Sequence, residues 1–379
     1  MKTTFGSAQV GMLGLVLVAG LGACSSSKSL PGDGGQAGDG GKTDAGKTEG
    51  GTADAPADAG GPAPTVVATF DDVPASLALD GNVLYATLVE SGAGNNGRVV
   101  SVSKTASGAT VDGGTITTLA SGLIQPLAIA VHNGQVLWAD SEAVTNNPDV
   151  MAVPIAGGTP RELFGNVTTL TRLVIVGDTL YGATNHQEDI ASFLLTADGG
   201  AGTTIYPGNP PNGLSAPDSD GTAVYFLSPG ATNEDLFSVQ IGVTGAATAL
   251  AHNVGSGSTD TNYLLDDTST LYWSDSGTGN VYSVAKTGGT PKILATFNNG
   301  SAAVQIALDG TNVYALAKTA LVRFPKAGGV TPVVLASVPG GSANSYLPGT
   351  PGNTNALVVD DTFVYWLYQG HGEILKIAK

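Results

Sequence analysis

From Thr65 onward the chain runs in short stretches of alternating apolar and polar residues, punctuated by Gly, Asp and Asn. Residues 262–297 show the unit most clearly: NYLL, an Asp-rich turn, TLYWS, a Gly hairpin, NVYSVAK, a Gly pair, then TPKILATF. Period-two alternation in LYWS and VYSVA, with turn residues between, predicts four antiparallel strands. The unit recurs at intervals of about 42 to 53 residues, the range of repeat architectures. Second strands carry an aromatic at Tyr85, Trp138, Tyr181, Tyr225, Tyr272, Tyr314 and Tyr365, and these rings are expected to pack between repeats. Third strands follow at 98–104, 149–155, 189–195, 235–241, 280–286, 320–326 and 373–379.

Fourth strands follow six of these, as in TPRELF (159–164), TPKILA (290–295) and TPVVLA (331–336). The seventh repeat ends at its third strand. A matching strand stands at the other end of the repeats, TVVATF at 65–70. An all-β, seven-bladed propeller follows, with the N-terminal strand completing the last blade so that no unpaired edge is left at the junction.

The stretch LYWSDSGTGNVYSVAKTGGT resembles a repeat of the YWTD-type propellers, with weaker echoes at Val364-Tyr365-Trp366 and Leu137-Trp138-Ala139-Asp140. The chain is also similar to streptogramin-lyase and NHL-type bacterial propellers. Only three repeats keep a Trp, and YWTD domains usually have six blades. The resemblance therefore implies a fold, and no family's functional residues can be placed on this sequence.

Composition fits many short strands and tight turns. Gly accounts for 55 of 379 residues, charged residues for 12% and hydrophobic residues for 42%. The net charge is −16; Lys2 contributes +1 and residues 24–64 hold three lysines against six acids, so about −14 falls on residues 65–379. A body that acidic repels phosphate backbones, which argues against a nucleic-acid partner.

The N-terminal segment reads as an address. Lys2 precedes an apolar stretch from Val10 to Leu21, too short to span a bilayer as a helix and the right length for an export signal. It ends in Leu21-Gly22-Ala23-Cys24, which resembles the bacterial lipobox, and Cys24 is the only cysteine of the chain. The expectation is a signal peptide over 1–23 and lipidation of Cys24. Membrane attachment then runs through that lipid, and Ser25 points to the outer membrane. Residues 24–64 carry no aromatic residue and one large apolar residue, Leu30, so they read as a disordered tether. Gly41 to Thr48 fits GxxxxGK[ST], but that loop works only between a buried strand and a helix, and here both flanks are coil-forming.

In a propeller the loops joining second to third strands, and those joining blades, share one face. They are the varied ones here (DSEAVTNNPD, TNHQE, SVPGGSANSYLPGTPGNT), whereas turns on the other face are short and alike. Varied loops on a rigid scaffold are where binding residues concentrate. His186 and His371 lie in such loops, each followed two residues later by an acid, Glu188 and Glu373. His-plus-carboxylate serves acid/base or metal chemistry. Asp71-Asp72, Asp140, Asp275 and Asn146-Asn147 offer oxygen to a divalent cation, without the fixed spacing of a calcium loop. His132 and His252 read as surface or capping residues. No HExxH or GxSxG occurs. The leading expectation is a binding or scaffold module for a protein or glycan with no cofactor. The alternative is a lyase or lactonase-like enzyme using those His and Glu residues in a central pocket.

Overall fold

A computed structural model describes residues 63–379 apart from 91–95, 112, 141–148, 166–171, 185–188, 196–201, 208–214, 230–232, 244–245, 256–262, 276, 298–304, 318–319 and 338–354. The described strands form seven antiparallel sheets. Six have four strands, and blade five shows the plan: Tyr263–Asp266, Thr270–Asp275, Asn280–Ala285 and Lys292–Thr296 pair in chain order. The seventh blade is built from Leu357–Val359, Phe363–Tyr368 and Glu373–Ala378, with Thr65–Thr69 paired antiparallel to the last of these. Thr65 faces Lys376 and Thr69 faces Glu373, so the N-terminal strand closes the ring as its sequence implied.

Closure is reinforced where sequence gave no sign. Ala109–Thr110, in the long turn between the third and fourth strands of blade one, pairs in parallel with Ala68 and Thr69. Gly108 N–H donates to the Val66 carbonyl at 2.9 Å, and Lys376 Nζ donates to the carbonyls of Lys104 and Ala106 at 2.9 and 3.2 Å. The closing strand is thus hydrogen-bonded along both edges, which removes the exposed edge such a strand would otherwise present.

The apolar core is divided into seven clusters, one per blade-to-blade interface. Each fully buried large side chain contributes roughly 1.5–3 kcal/mol. The second-strand tyrosines face the following blade: Tyr272 packs with Ile306 and Val313 of blade six, Tyr314 with Leu357 and Val364 of blade seven. Trp138 is the exception. The backbone N–H of Ile155 donates to the Gly134 carbonyl, as Lys286 donates to Ser269, and this register puts Leu137 at the tyrosine position of blade two. Trp138 instead matches Trp273 and packs back against blade one with Tyr85.

A polar clasp crosses four consecutive interfaces on the short-turn face. Each has an Asp in the turn after the inner strand, the Tyr five residues later, and a Lys at the end of the next blade's third strand. Tyr225, Tyr272, Tyr314 and Tyr365 donate to Asp220, Asp267, Asp309 and Asp360 at 2.7–3.0 Å. Lys286, Lys326, Lys379 and Lys104 of the following blades reach the same carboxylates at 2.8–3.1 Å. Three of the lysines also lie 5.3–5.7 Å from the centroid of the tyrosine ring. The other three interfaces have Ile155, Leu195 and Ile241 where the lysine would be.

Candidate functional site at the axial channel

The inner strands of the blades surround a cavity of about 490 Å³. Its walls are largely aliphatic, including Leu79, Ile129, Leu265, Ile306 and Leu357, with Arg172, Tyr263, Asp266 and Asn355 the polar groups among them. Arg172, Tyr263 and Asn355 stand at or just before the first residue of their inner strands, which is the varied-loop end of the channel.

These groups form a belt across several blades. Arg172, at the entry to blade three, sits 3.4 Å from Asp218 Oδ1 of blade four. It also donates to the Leu264 carbonyl of blade five at 2.5 Å and stacks 4.9 Å from the Tyr263 ring centroid. Asp218 is 5% exposed, and its second oxygen accepts the Asp266 N–H at 2.8 Å. Burial pushes the Asp218 carboxyl up to about 6; Arg172 pulls it back and the Asp266 carboxylate adds to the rise. Burial works against the Arg172 charge, but Asp218, Tyr263 and Asp266 together more than offset it and keep the guanidinium protonated. Asp266 in turn pairs with Lys286 at 2.5 Å.

The belt continues to blades seven and one. Tyr263, whose phenol is raised above its usual range chiefly by burial, donates to Asn355 Oδ1 at 2.9 Å. Asn355 Nδ2 donates to the Leu77 carbonyl at 2.8 Å, and the Leu77 N–H returns to the Asn355 carbonyl at 2.6 Å. Ala356 N–H donates to Gln305 Oε1 of blade six at 2.8 Å. Aliphatic walls with a few converging polar groups make a recognition site that fixes orientation through hydrogen bonds.

His371 and Glu373 lie away from this cavity. His371 is exposed on the 3₁₀ turn Gln369–His371 and stacks on Tyr368 with centroids 4.3 Å apart. Glu373 opens a third strand opposite Tyr368. His186 and Glu188 lie outside the described residues, as do Cys24, the GxxxxGK[ST] stretch and Asn146-Asn147. His132 and His252 are surface partners of Asp178 and Asp235, at 2.9 and 3.0 Å. Among the oxygen donors, Asp72 pairs with Arg98 at 2.5 Å and Asp140 accepts the Gln125 N–H. Asp275 caps the turn at Gly277 and Thr278. Among the described residues no group of three or more His, Cys, Asp or Glu is arranged to hold a metal ion.

Sequence reading did not single out Arg172, Asp218, Tyr263 or Asn355. A signal existed for Asp218: it stands opposite Tyr225 in its inner strand, where the corresponding positions are Leu265, Ala307 and Val358. An acid on that apolar stripe needs a buried partner.

No protein-family model matches the chain, and no curated protein matches its sequence. Solved structures do match. A streptogramin B lyase superposes with a TM-score of 0.58 at 11% identity, over 81% of this chain and 93% of that one. Virginiamycin B lyase from Staphylococcus aureus gives 0.57 at 12%, over 82% and 96%. The propeller domain of the trilobed protease from Pyrococcus furiosus, described as having an open velcro topology, gives 0.52 at 8%, over 81% and 95%. At these identities the likeness is one of fold. The chain is an all-β seven-bladed propeller, an architecture that supports a binding or scaffold module, here closed by its own N-terminal strand.

Proposed function

We propose that the protein is a lipoprotein of the bacterial outer membrane, anchored through Cys24 after removal of residues 1–23. Residues 24–64 are its tether, and the propeller over 65–379 is a binding module for a protein or glycan. The reading of the N-terminus rests on the lipobox-like Leu21 to Cys24 and on that cysteine being the only one. The binding role is carried by one observation, the belt from Arg172 to Asn355 at the varied-loop end of the channel. Its charged groups are already paired; the Asn355 amide, with its second N–H, and the Tyr263 phenol oxygen, as an acceptor, keep capacity beyond their mutual bond and are the orienting groups. That combination suits hydroxyl- or amide-rich ligands with apolar faces.

The test is an array of defined oligosaccharides and short peptides probed with full-length protein in detergent. Binding of at least one class is expected, weakened tenfold or more by Asn355→Ala. An array without signal, or binding indifferent to Asn355→Ala, contradicts the reading.

A further inference from the structure

The break in the clasp between blades two and three leaves a cavity. There the turn Asp is replaced by His132, the Tyr by Leu137 and the Lys by Leu195, and all three line a space of about 130 Å³. That is room on the order of four waters at ~30 Å³ each. The remaining wall is Leu163, and the rim is polar, with Asn133, Gln135 and Asp178. The other two lysine-free interfaces differ. Blade one keeps Tyr85, and between blades three and four Tyr181 is retained and packed against Val176 and Ile241. Only at this interface are ring and cation both replaced.

We propose that this cavity is a binding site for a primary alkylammonium group, the chemistry shared by a lysine side chain and a simple alkylamine. The four intact clasps show what the position accommodates: an aliphatic stem ending in an ammonium that lies against a carboxylate at 2.8–3.1 Å. Here the stem would lie among Leu137, Leu163 and Leu195 and the ammonium against Asp178. The Asp178 side chain is half exposed, and one of its oxygens already accepts from His132 at 2.9 Å and Asn133 at 2.8 Å. Asp178 lines the cavity, and those two bonds engage only one of its two carboxylate oxygens. Arg161 donates to Gln135 Oε1 of the rim at 3.3 Å. The strong negative charge of the chain favours a cationic ligand over an anionic one.

The experiment titrates full-length, leucine-methyl-labelled protein in detergent with n-butylammonium, and separately with an N-acetylated tetrapeptide containing one lysine. 1-Butanol supplies the stem without the charge. Saturable shifts of the Leu137, Leu163 and Leu195 methyls are expected with n-butylammonium, with a Kd on the order of millimolar. Shifts with the peptide as well identify a protein lysine as a competent source; shifts with the amine alone restrict the site to small amines, and both support the site. Two variants test the placement, with folding checked by circular dichroism. Asp178→Asn should weaken binding at least tenfold. Leu195→Lys, which restores the cation in place, should abolish binding and raise the melting temperature. The proposal is overturned if no saturable shift occurs, if 1-butanol binds as well as the amine, or if binding survives both substitutions.

Discussion

Lys104 of blade one reaches Asp360 of blade seven at 2.9 Å, so the seam where the ring closes carries the same clasp as three ordinary interfaces. The clasp is a network: each carboxylate also accepts the Tyr hydroxyl and backbone N–H groups of its own turn, such as Thr362 and Phe363 at Asp360. Exposed ion pairs contribute roughly 0–1 kcal/mol, and a cation over an aromatic face about as much again. Lys286, bonded to both Asp220 and Asp266, should therefore matter more than an isolated surface lysine. Lys286→Met is expected to lower the melting midpoint by about 2–4 °C. A midpoint unchanged in a calorimetric scan would show that the clasps carry no stability.

Two sets of carboxylates should give the fold opposite responses to acid. Burial works against ionisation of Asp360, yet its hydrogen bonds from Phe363 and Lys104 hold it at about 2; Asp220 and Asp309 are likewise held well below the usual range. A folded-state value below the unfolded one means stability that is present above about pH 4 and lost as pH falls through the folded value. Asp218 runs the other way. Its folded value near 6 lies above the unfolded one, so the folded state takes up a proton first and stability rises as pH falls from 7 towards 4. Thermal midpoints should peak between about pH 4 and 5 and fall off more steeply on the acid side. Asp218→Asn should flatten the limb between pH 5 and 7 while leaving the acid limb in place; an unaltered limb would mean that another group titrates there.

Closure of the ring gives a second stability test. A chain truncated to begin at Pro74 lacks the strand Thr65–Thr69, leaving Glu373–Ala378 and Ala109–Thr110 without their partner. Losing a paired strand costs several kcal/mol, each worth roughly 2–4 °C or less in a domain of this size. A midpoint within about 2 °C of a chain beginning at Gly61 would contradict the closure. Gly372→Val probes the same seam more gently. Gly372 has φ +64°, and a Cβ there would run into the Phe70 carbonyl, while Phe70 N–H donates to the Gly372 carbonyl at 2.7 Å. Both the strained φ and the contact should destabilise this variant.

The seven blades and the closing strand were legible because they are local. Alternation in NVYSVAK and the Gly pair of TGGTP specify a strand and a turn within a dozen residues, and repetition multiplies the signal. Third strands fall within a residue of their sequence-derived bounds, as at Asn280–Ala285 and Glu373–Ala378. The belt was not legible, because Arg172 and Leu264 are 92 residues apart and meet only once the ring exists. The pairing of Ala109–Thr110 with the closing strand was hidden for the same reason. Trp138 misled by composition: an aromatic in the expected strand stood one residue out of register, and the turn hydrogen bond from Ile155 to Gly134 shows it.

The anchor is testable apart from the fold. On the proposed reading of residues 24–64 as a tether, Cys24→Ala should abolish membrane association while leaving the thermal midpoint of the propeller unchanged. Detergent-phase partitioning equal to that of the parent would remove the lipoprotein reading.

The central claim, that the propeller binds its partner at the varied-loop end of the channel, is tested most directly by hydrogen–deuterium exchange on full-length protein. Exchange is compared with and without the ligand found on the array. The account expects added protection at Ser76–Leu77, Tyr263–Leu264 and Asn355–Ala356, with the outer strand Lys292–Thr296 unaffected. Protection confined to outer strands or to the short-turn face, with the channel end unchanged, would contradict it.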